Sequence, residues 1–321
     1  MYYFTLTEPI VKALEKRVLL FDGAMGTEIQ RLNPQPEDFP DRKSGFNDGL
    51  TISRADWIEQ IHRSYLVAGA DCIETNTFGS NKIKLQEYGY AEKTVEFNKT
   101  AAQLARKVSK EFGDKQTYVI GSMGPSGYLP SSSDPDLGNK SLDDIQDAFK
   151  TQAEGLILGG VDALLIETGQ DILEVKIAIE AIHEAKRTLN ATDVPIIANV
   201  TLDKYGKMLL GTTIQAAYTT ISDMGIDVFG LNCSTGPEEM TPSVIWLNEQ
   251  NDMPILVVPN AGMPENQEGK AVYKMGPEPM ANKLEEFINK YERVRIIGGC
   301  CGTTPHHIEK LRRILDQQQK N

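Results

Sequence analysis

The sequence predicts a (β/α)8 barrel of the TIM-barrel class, and three observations predict it. Eight short, continuously apolar, β-branched runs recur along 321 residues. Each is followed by a stretch with helical periodicity. Nearly every run stops on a polar residue, as barrel strands do at the mouth where their loops gather. Such runs suit strands buried on both faces. Strict alternation over this length favours a closed barrel, with an open doubly wound sheet as the runner-up. No Gly-x-Gly-x-x-Gly follows the first run, which removes the main support for a dinucleotide-binding sheet.

The elements follow in order. Residues 7–17 read as a short helix, with Thr7 as N-cap and Pro9 in its first turn. The first strand, 18–21, runs into Asp22-Gly23-Ala24-Met25-Gly26-Thr27. A long polar loop, 31–53, follows, and its prolines and charges place it at the barrel mouth. Ser53 is placed to cap a helix over 54–68, which buries Trp57, Ile58, Ile61 and Tyr65 at helical spacing. Strands are then expected at 71–77, 118–122, 163–168, 195–200, 228–233, 254–258 and 294–298. The helices between and after them are expected at 91–112, 142–158, 172–189, 213–224, 241–249, 277–291 and 305–318, the last capped by Thr304. No low-complexity linker divides the chain, so residues 1–321 read as one domain with its core at about 18–315.

Composition narrows the function classes. Hydrophobic residues make up 40% and charged residues 24%, which suits a soluble globular protein. A net charge of −12 argues against broad affinity for nucleic acid or anionic membrane. No apolar run is long enough to span a bilayer, and Met1 to Thr5 do not begin a signal peptide. Four cysteines in a chain of this size are not a disulfide framework. A cytoplasmic location fits, where thiols stay free for metal or chemistry.

The strand ends carry Asp22, Glu74-Thr75-Asn76, Ser122, Glu167-Thr168, Asn199, Asn232-Cys233, Asn260 and Cys300-Cys301. The opposite ends carry turn residues: Gly69-Ala70-Asp71, Gly160-Val161-Asp162 and Gly225-Ile226-Asp227. Three thiols at strand ends suit a Zn²⁺ site with one open position, and such a site suits capture of a substrate thiol. Successive side chains of a regular strand point apart, so Cys300 and Cys301 converge only if Gly298, Gly299 and Gly302 relax the backbone. Spacing alone leaves the bland alternative open: a buried cysteine beside a loop cysteine. Cys72 reads as a small buried hydrophobe. His306 and His307 read as capping or solvent-facing at the start of the last helix. The 22–27 turn could receive a carboxylate on its N–H groups, and Asp22 with Glu167 could meet an ammonium; a plain tight turn explains the first equally well.

Several motifs together resemble the homocysteine S-methyltransferase family. They are Asp22-Gly23-Ala24-Met25-Gly26-Thr27, Gly69-Ala70-Asp71, Glu74-Thr75-Asn76-Thr77-Phe78, Gly121-Ser122-Met123-Gly124-Pro125, Gly230-Leu231-Asn232-Cys233, Pro259-Asn260-Ala261-Gly262 and Gly298-Gly299-Cys300-Cys301-Gly302-Thr303-Thr304-Pro305. The likeness is nearest to the homocysteine-binding barrel of the cobalamin-dependent methionine synthases and covers about residues 18–315. It implies one Zn²⁺ per chain on Cys233, Cys300 and Cys301, with homocysteine sulfur in the remaining position. It also implies substrate contacts at Asp22, Gly23, Ala24, Met25 and Glu167. The product would be methionine. Such synthases carry further domains, including a corrinoid-binding one, whereas these residues hold no Asp-x-His-x-x-Gly. The resemblance therefore implies a methylcobalamin-like corrinoid supplied in trans by a separate protein or domain. The alternatives are a stand-alone enzyme using S-methylmethionine or betaine, or a homocysteine-binding subunit inactive without its corrinoid partner.

Overall fold

The structure, a computed structural model, describes residues 8–113, 116–250, 252–267 and 270–318. Eight parallel strands form its centre: β1 (Leu19–Leu20), β2 (Cys72–Glu74), β3 (Tyr118–Met123), β4 (Ala163–Gly169), β5 (Ile196–Val200), β6 (Val228–Asn232), β7 (Ile255–Val258) and β8 (Val294–Ile297). They pair in sequence order from β2 to β8, and β8 pairs β1 through Leu19 with Ile296 and Leu20 with Ile297. The Asp71 amide donates to the Leu20 carbonyl at 2.7 Å, which carries the ring across from β2 to β1. The (β/α)8 barrel expected from the alternation is thus the fold.

The main helices are α1 (Ala55–Ala68), α2 (Thr94–Lys110), α3 (Leu142–Gly159), α4 (Ile172–Thr188), α5 (Ile214–Ile221), α6 (Pro237–Gln250), α7 (Pro277–Lys290) and α8 (Pro305–Gln318). Their apolar stripes pack on the outward strand residues, such as Leu164 and Ile166 of β4. The inward residues, such as Ala163 and Leu165, form a second cluster inside the ring. This is the period-2 alternation of a strand buried on both faces. The inner cluster also takes in Ile10, Ala13 and Leu14 of a short N-terminal helix, Ile10–Lys16. That helix plugs the barrel at the N-terminal ends of the strands, and the cavity lies at the other mouth.

Several expectations need adjusting. Ser53 does not cap α1: its hydroxyl donates to the Asp38 carbonyl at 2.6 Å, and Arg54 holds the cap position. The expected Thr7 cap lies outside the described residues. Helix α6 starts at Pro237, before the expected 241, a first position where a missing N–H costs little, and it also carries Pro242 in its interior, where the Glu238 carbonyl loses its intrahelical donor. The 31–53 loop holds short helical turns at Pro36–Asp38, Pro40–Arg42, Asn47–Gly49 and Leu50–Ser53. Two short helices, Met25–Arg31 and Lys82–Glu87, and a hairpin of Glu265–Gln267 with Lys270–Val272 were not anticipated. Among the described residues no helix is long and apolar enough to cross a membrane.

Candidate metal centre and ligand cavity

A cavity of about 380 Å³ opens at the C-terminal ends of the strands. Its wall includes Asp22, Gly23, Ala24, Met25, Glu167, Cys233, Cys300 and Cys301. Every residue expected at the site therefore faces one space, and what each does there depends on how its strand end is built.

Cys233 follows β6 directly. Its amide donates to the Val258 carbonyl at 3.2 Å, and its own carbonyl accepts from the Thr235 amide at 2.7 Å. A regular strand would turn Cys233 away from the face that Asn232 occupies. Instead the backbone becomes left-handed, with φ +61° at Cys233 and +62° at Ser234, so both Asn232 and Cys233 line the cavity. Strained backbone of this kind persists only where its surroundings hold it.

The second arm is the turn after β8. The Gly299 amide donates to the Asp22 carbonyl at 3.1 Å, and the Cys300 amide to the Pro259 carbonyl at 2.8 Å. The Thr303 hydroxyl donates to the Cys300 carbonyl at 2.7 Å and accepts from the Ala24 amide at 3.1 Å. Gly302 has φ +81°, and a Cβ there would come within 2.3 Å of the Tyr273 ring, so this position needs glycine on two counts. The turn brings Cys300 and Cys301 to the same side, as the glycine argument requires.

The three sulfurs lie within 4.8 Å of one another, and those of Cys233 and Cys301 are 3.8 Å apart. A tetrahedral Zn²⁺ with Zn–S of about 2.3 Å has sulfurs about 3.8 Å apart, so the donor set fits that ion. An ion held by these three cysteines would have a fourth coordination position left for another ligand. Hydrogen bonds from Cys233 and Cys300 pull the Cys301 thiol down to about 3. The bonds that Cys300 donates to Cys233 and Cys301, with burial, push its own thiol well up. Neither histidine joins the three cysteines. His306 is exposed beside Glu309, and His307 is buried, its Nδ1 at 3.2 Å from the Thr304 amide and its Nε2 at 3.1 Å from the Met275 carbonyl. His307 is a cap but not solvent-facing.

The opposite wall is acidic. Asp22 is 3% exposed and accepts the Glu74 amide at 3.0 Å. Burial first, then Glu167, pushes its carboxyl well above the usual range. Glu167 accepts the Ser122 hydroxyl on one oxygen and, at 3.4 Å, the Asn232 amide on the other. Burial raises it to about 7, and the Cys301 charge adds to this. Two more acids share the space. Glu74 is raised by burial and by Glu167 and Asp22, and Asp48 is raised to about 7 by burial and Glu167. Among the described lining residues the one cationic side chain is Lys84, which pairs with Glu87 at 2.8 Å. Buried carboxylates without a cation favour a cationic ligand group.

Asp48 had no sequence signal beyond its place in the long loop. The structure pins it by the Gly79 amide at 2.9 Å, while Phe46 stacks on Tyr88 at 4.2 Å behind it. Glu74 was legible as a polar strand end, without a role. The 22–27 turn is locked by the Tyr65 hydroxyl, which donates to the Ala24 carbonyl at 3.0 Å, and the chain enters the Met25–Arg31 helix with no side-chain cap. Its first N–H groups stay available near the cavity.

The family model described as homocysteine S-methyltransferase matches residues 19–315. The methionine synthase of Mycobacterium tuberculosis is 40% identical over 304 residues, covering 94% of this chain and 25% of that protein. The methionine synthase of Mycobacterium leprae is 39% identical over 304 residues, covering 94% of this chain and 24% of that protein. The chain spans about a quarter of the length of these curated relatives. The homocysteine methyltransferase MmuM from Escherichia coli, in its metallated form, superposes with a TM-score of 0.76 at 23% identity. That match covers 95% of this chain and 99% of the other, and at such identity it speaks for the fold.

Proposed function

Because the chain belongs to the homocysteine S-methyltransferase family, we propose that it transfers a methyl group to the sulfur of homocysteine, giving methionine. Cys233, Cys300 and Cys301 would hold one Zn²⁺, and Asp22, Gly23, Ala24, Met25 and Glu167 would hold the amino-acid end of the substrate. The observation that carries this reading is a three-sulfur set and a cation-poor acidic wall facing each other across one cavity. Homocysteine offers a thiol for the first and an ammonium for the second.

Bound there, Zn²⁺ would keep the substrate sulfur in its thiolate form, which is the nucleophile. The chain's own residues do the rest. Asp22 and Glu167 receive the ammonium, and its positive charge draws down two carboxyls that burial had raised. The N–H groups of Gly23 and Met25 face the carboxylate, while that of Ala24 is held by the Thr303 hydroxyl. The barrel floor is plugged and the cavity lies at the other mouth, so the methyl donor would come in through that mouth.

The test is metal analysis with X-ray absorption at the zinc edge. One zinc per chain with three sulfurs, rising to four when homocysteine is added, supports the reading. Absence of zinc, or a four-ligand shell that homocysteine does not alter, sinks it.

We read residues 1–321 as one homocysteine-binding domain whose donor comes from elsewhere. The likeness to one quarter of the methionine synthases supports a methylcorrinoid carried by a separate protein or domain. S-methylmethionine or betaine is the other reading. Turnover with free methylcobalamin, set beside turnover with S-methylmethionine, separates the two.

A further inference from the structure

One buried amide joins the two walls of the cavity. Asn232 is the last residue of β6 and is 2% exposed. Its side chain reaches across β5 to the end of β4, which is feasible because alternate strands of a barrel share interior layers. Its Oδ1 accepts the Thr168 amide at 2.8 Å, and its Nδ2 donates to the Thr168 hydroxyl at 2.9 Å and to Glu167 at 3.4 Å. Thr168 has φ +58°, a conformation that a β-branched residue avoids unless it is held. The main-chain carbonyl of Asn232 accepts the Thr201 hydroxyl, which fixes the residue from β5 as well. The next residue in the chain is Cys233.

Glu167 has a second anchor, the Ser122 hydroxyl on β3. Ser122 lies on β3, which carries none of the three cysteines. Asn232 alone among the groups bonded to Glu167 is adjacent in the chain to a cysteine of the triad. It therefore ties the carboxylate that would meet the ammonium to the sulfur wall that would meet the thiol. The span between those two anchors is what a substrate's carbon chain must match. Resting on the homocysteine reading above, we propose that Asn232 is a positioning residue that sets this span and thereby selects homocysteine over the shorter cysteine. Misplacing a bound group by about 1 Å can cost on the order of 100-fold, so a rigid span discriminates well between chains differing by one methylene.

The experiment uses the zinc-loaded chain and calorimetric affinities for three thiols: homocysteine, cysteine and 4-mercaptobutyrate, which is homocysteine without its amino group. Asn232→Leu is close in size, adds no charge to the acidic wall and loses the bonds to the Thr168 amide, the Thr168 hydroxyl and Glu167. It should weaken homocysteine by roughly 10- to 100-fold, the range for a hydrogen bond to a charged group. It should leave 4-mercaptobutyrate within about twofold and narrow the preference for homocysteine over cysteine. Asn232→Ala drops all three side-chain bonds and should act in the same direction. Zinc content near one per chain in both variants shows that the sulfur wall survives. Equal losses for homocysteine and 4-mercaptobutyrate, or an unchanged preference over cysteine, would overturn the proposal. A parent protein that binds none of the thiols would instead overturn the functional reading itself.

Discussion

The two ends of the barrel use the same residue types in opposite ways. At the closed end, Asp71, Asp162 and Asp227 each follow a left-handed glycine, Gly69, Gly160 and Gly225, by two positions. Each aspartate stitches its strand to a neighbour. Oδ2 accepts the amide of Leu20 (3.0 Å), Val119 (2.6 Å) and Ile196 (2.8 Å) in turn, while the aspartate amide donates back to the neighbouring strand. Asp71 also meets Arg17 and Arg312, each at 3.1 Å, and Asp162 meets Arg106 at 2.6 Å. At the open end, Asp22, Asp48, Glu74 and Glu167 crowd one cavity whose only cation among the described lining residues, Lys84, is engaged elsewhere. A carboxylate with its full set of donors holds the fold together. A set of carboxylates that raise one another's pKa is waiting for something the chain does not supply.

The sharpest way to break this comparison is at the sulfurs. Cys233→Ser removes one of three ligands, and a two-cysteine remainder should hold little zinc. Metal analysis should fall from one zinc per chain to near none, with methyl transfer abolished. The fold should remain, because the barrel core is apolar and closes without the ion. Full zinc retention in that variant would dismiss the ligand assignment. The next effect belongs to the closed end. Asp71→Ala leaves Arg17 and Arg312 without their shared carboxylate and the Leu20 amide without its acceptor. The orphaned buried amide and the loss of the carboxylate shared by two partly exposed arginines should together cost about 3–4 kcal/mol. Chemical denaturation should show a loss of that order while homocysteine affinity stays unchanged, and a loss of affinity would mean that the two ends are coupled.

Much of this contrast was legible in the sequence. The polar strand ends fell in a row because each apolar run has a clear stop, and the Gly-x-Asp turns repeat at the other end. Local patterns of two to six residues carry that information. The left-handed backbone at Cys233 and Thr168 was not legible, because neither residue type announces it and long-range bonds impose it. Asp48 and the hairpin at 265–272 were hidden for a related reason: loops follow what they pack on. Asn232 was seen as a polar strand end next to a cysteine. Its reach to Thr168 depends on strand stagger, which no run of residues encodes.

The smallest predicted effect tests the comparison by sign. Removing a carboxylate from the closed end should destabilise the protein, whereas Glu167→Gln at the open end should stabilise it. Glu167 is raised from 4.5 to about 7, by burial above all. A group that binds its proton more tightly in the folded state lends stability that is fully present below the unfolded value and is lost as pH rises through the folded one. Parent stability should therefore decline between about pH 4.5 and pH 7 by on the order of 3 kcal/mol from this group. Glutamine cannot ionise, so the variant escapes that decline. The stability difference between variant and parent, read by denaturation at several pH values, should grow through this window and level off above it. Loss of charge opposite the ammonium should meanwhile weaken homocysteine by roughly tenfold or more. A variant less stable than its parent at pH 8 would place Glu167 with the stitching aspartates of the closed end, and the distinction between the two mouths would fail at its central residue.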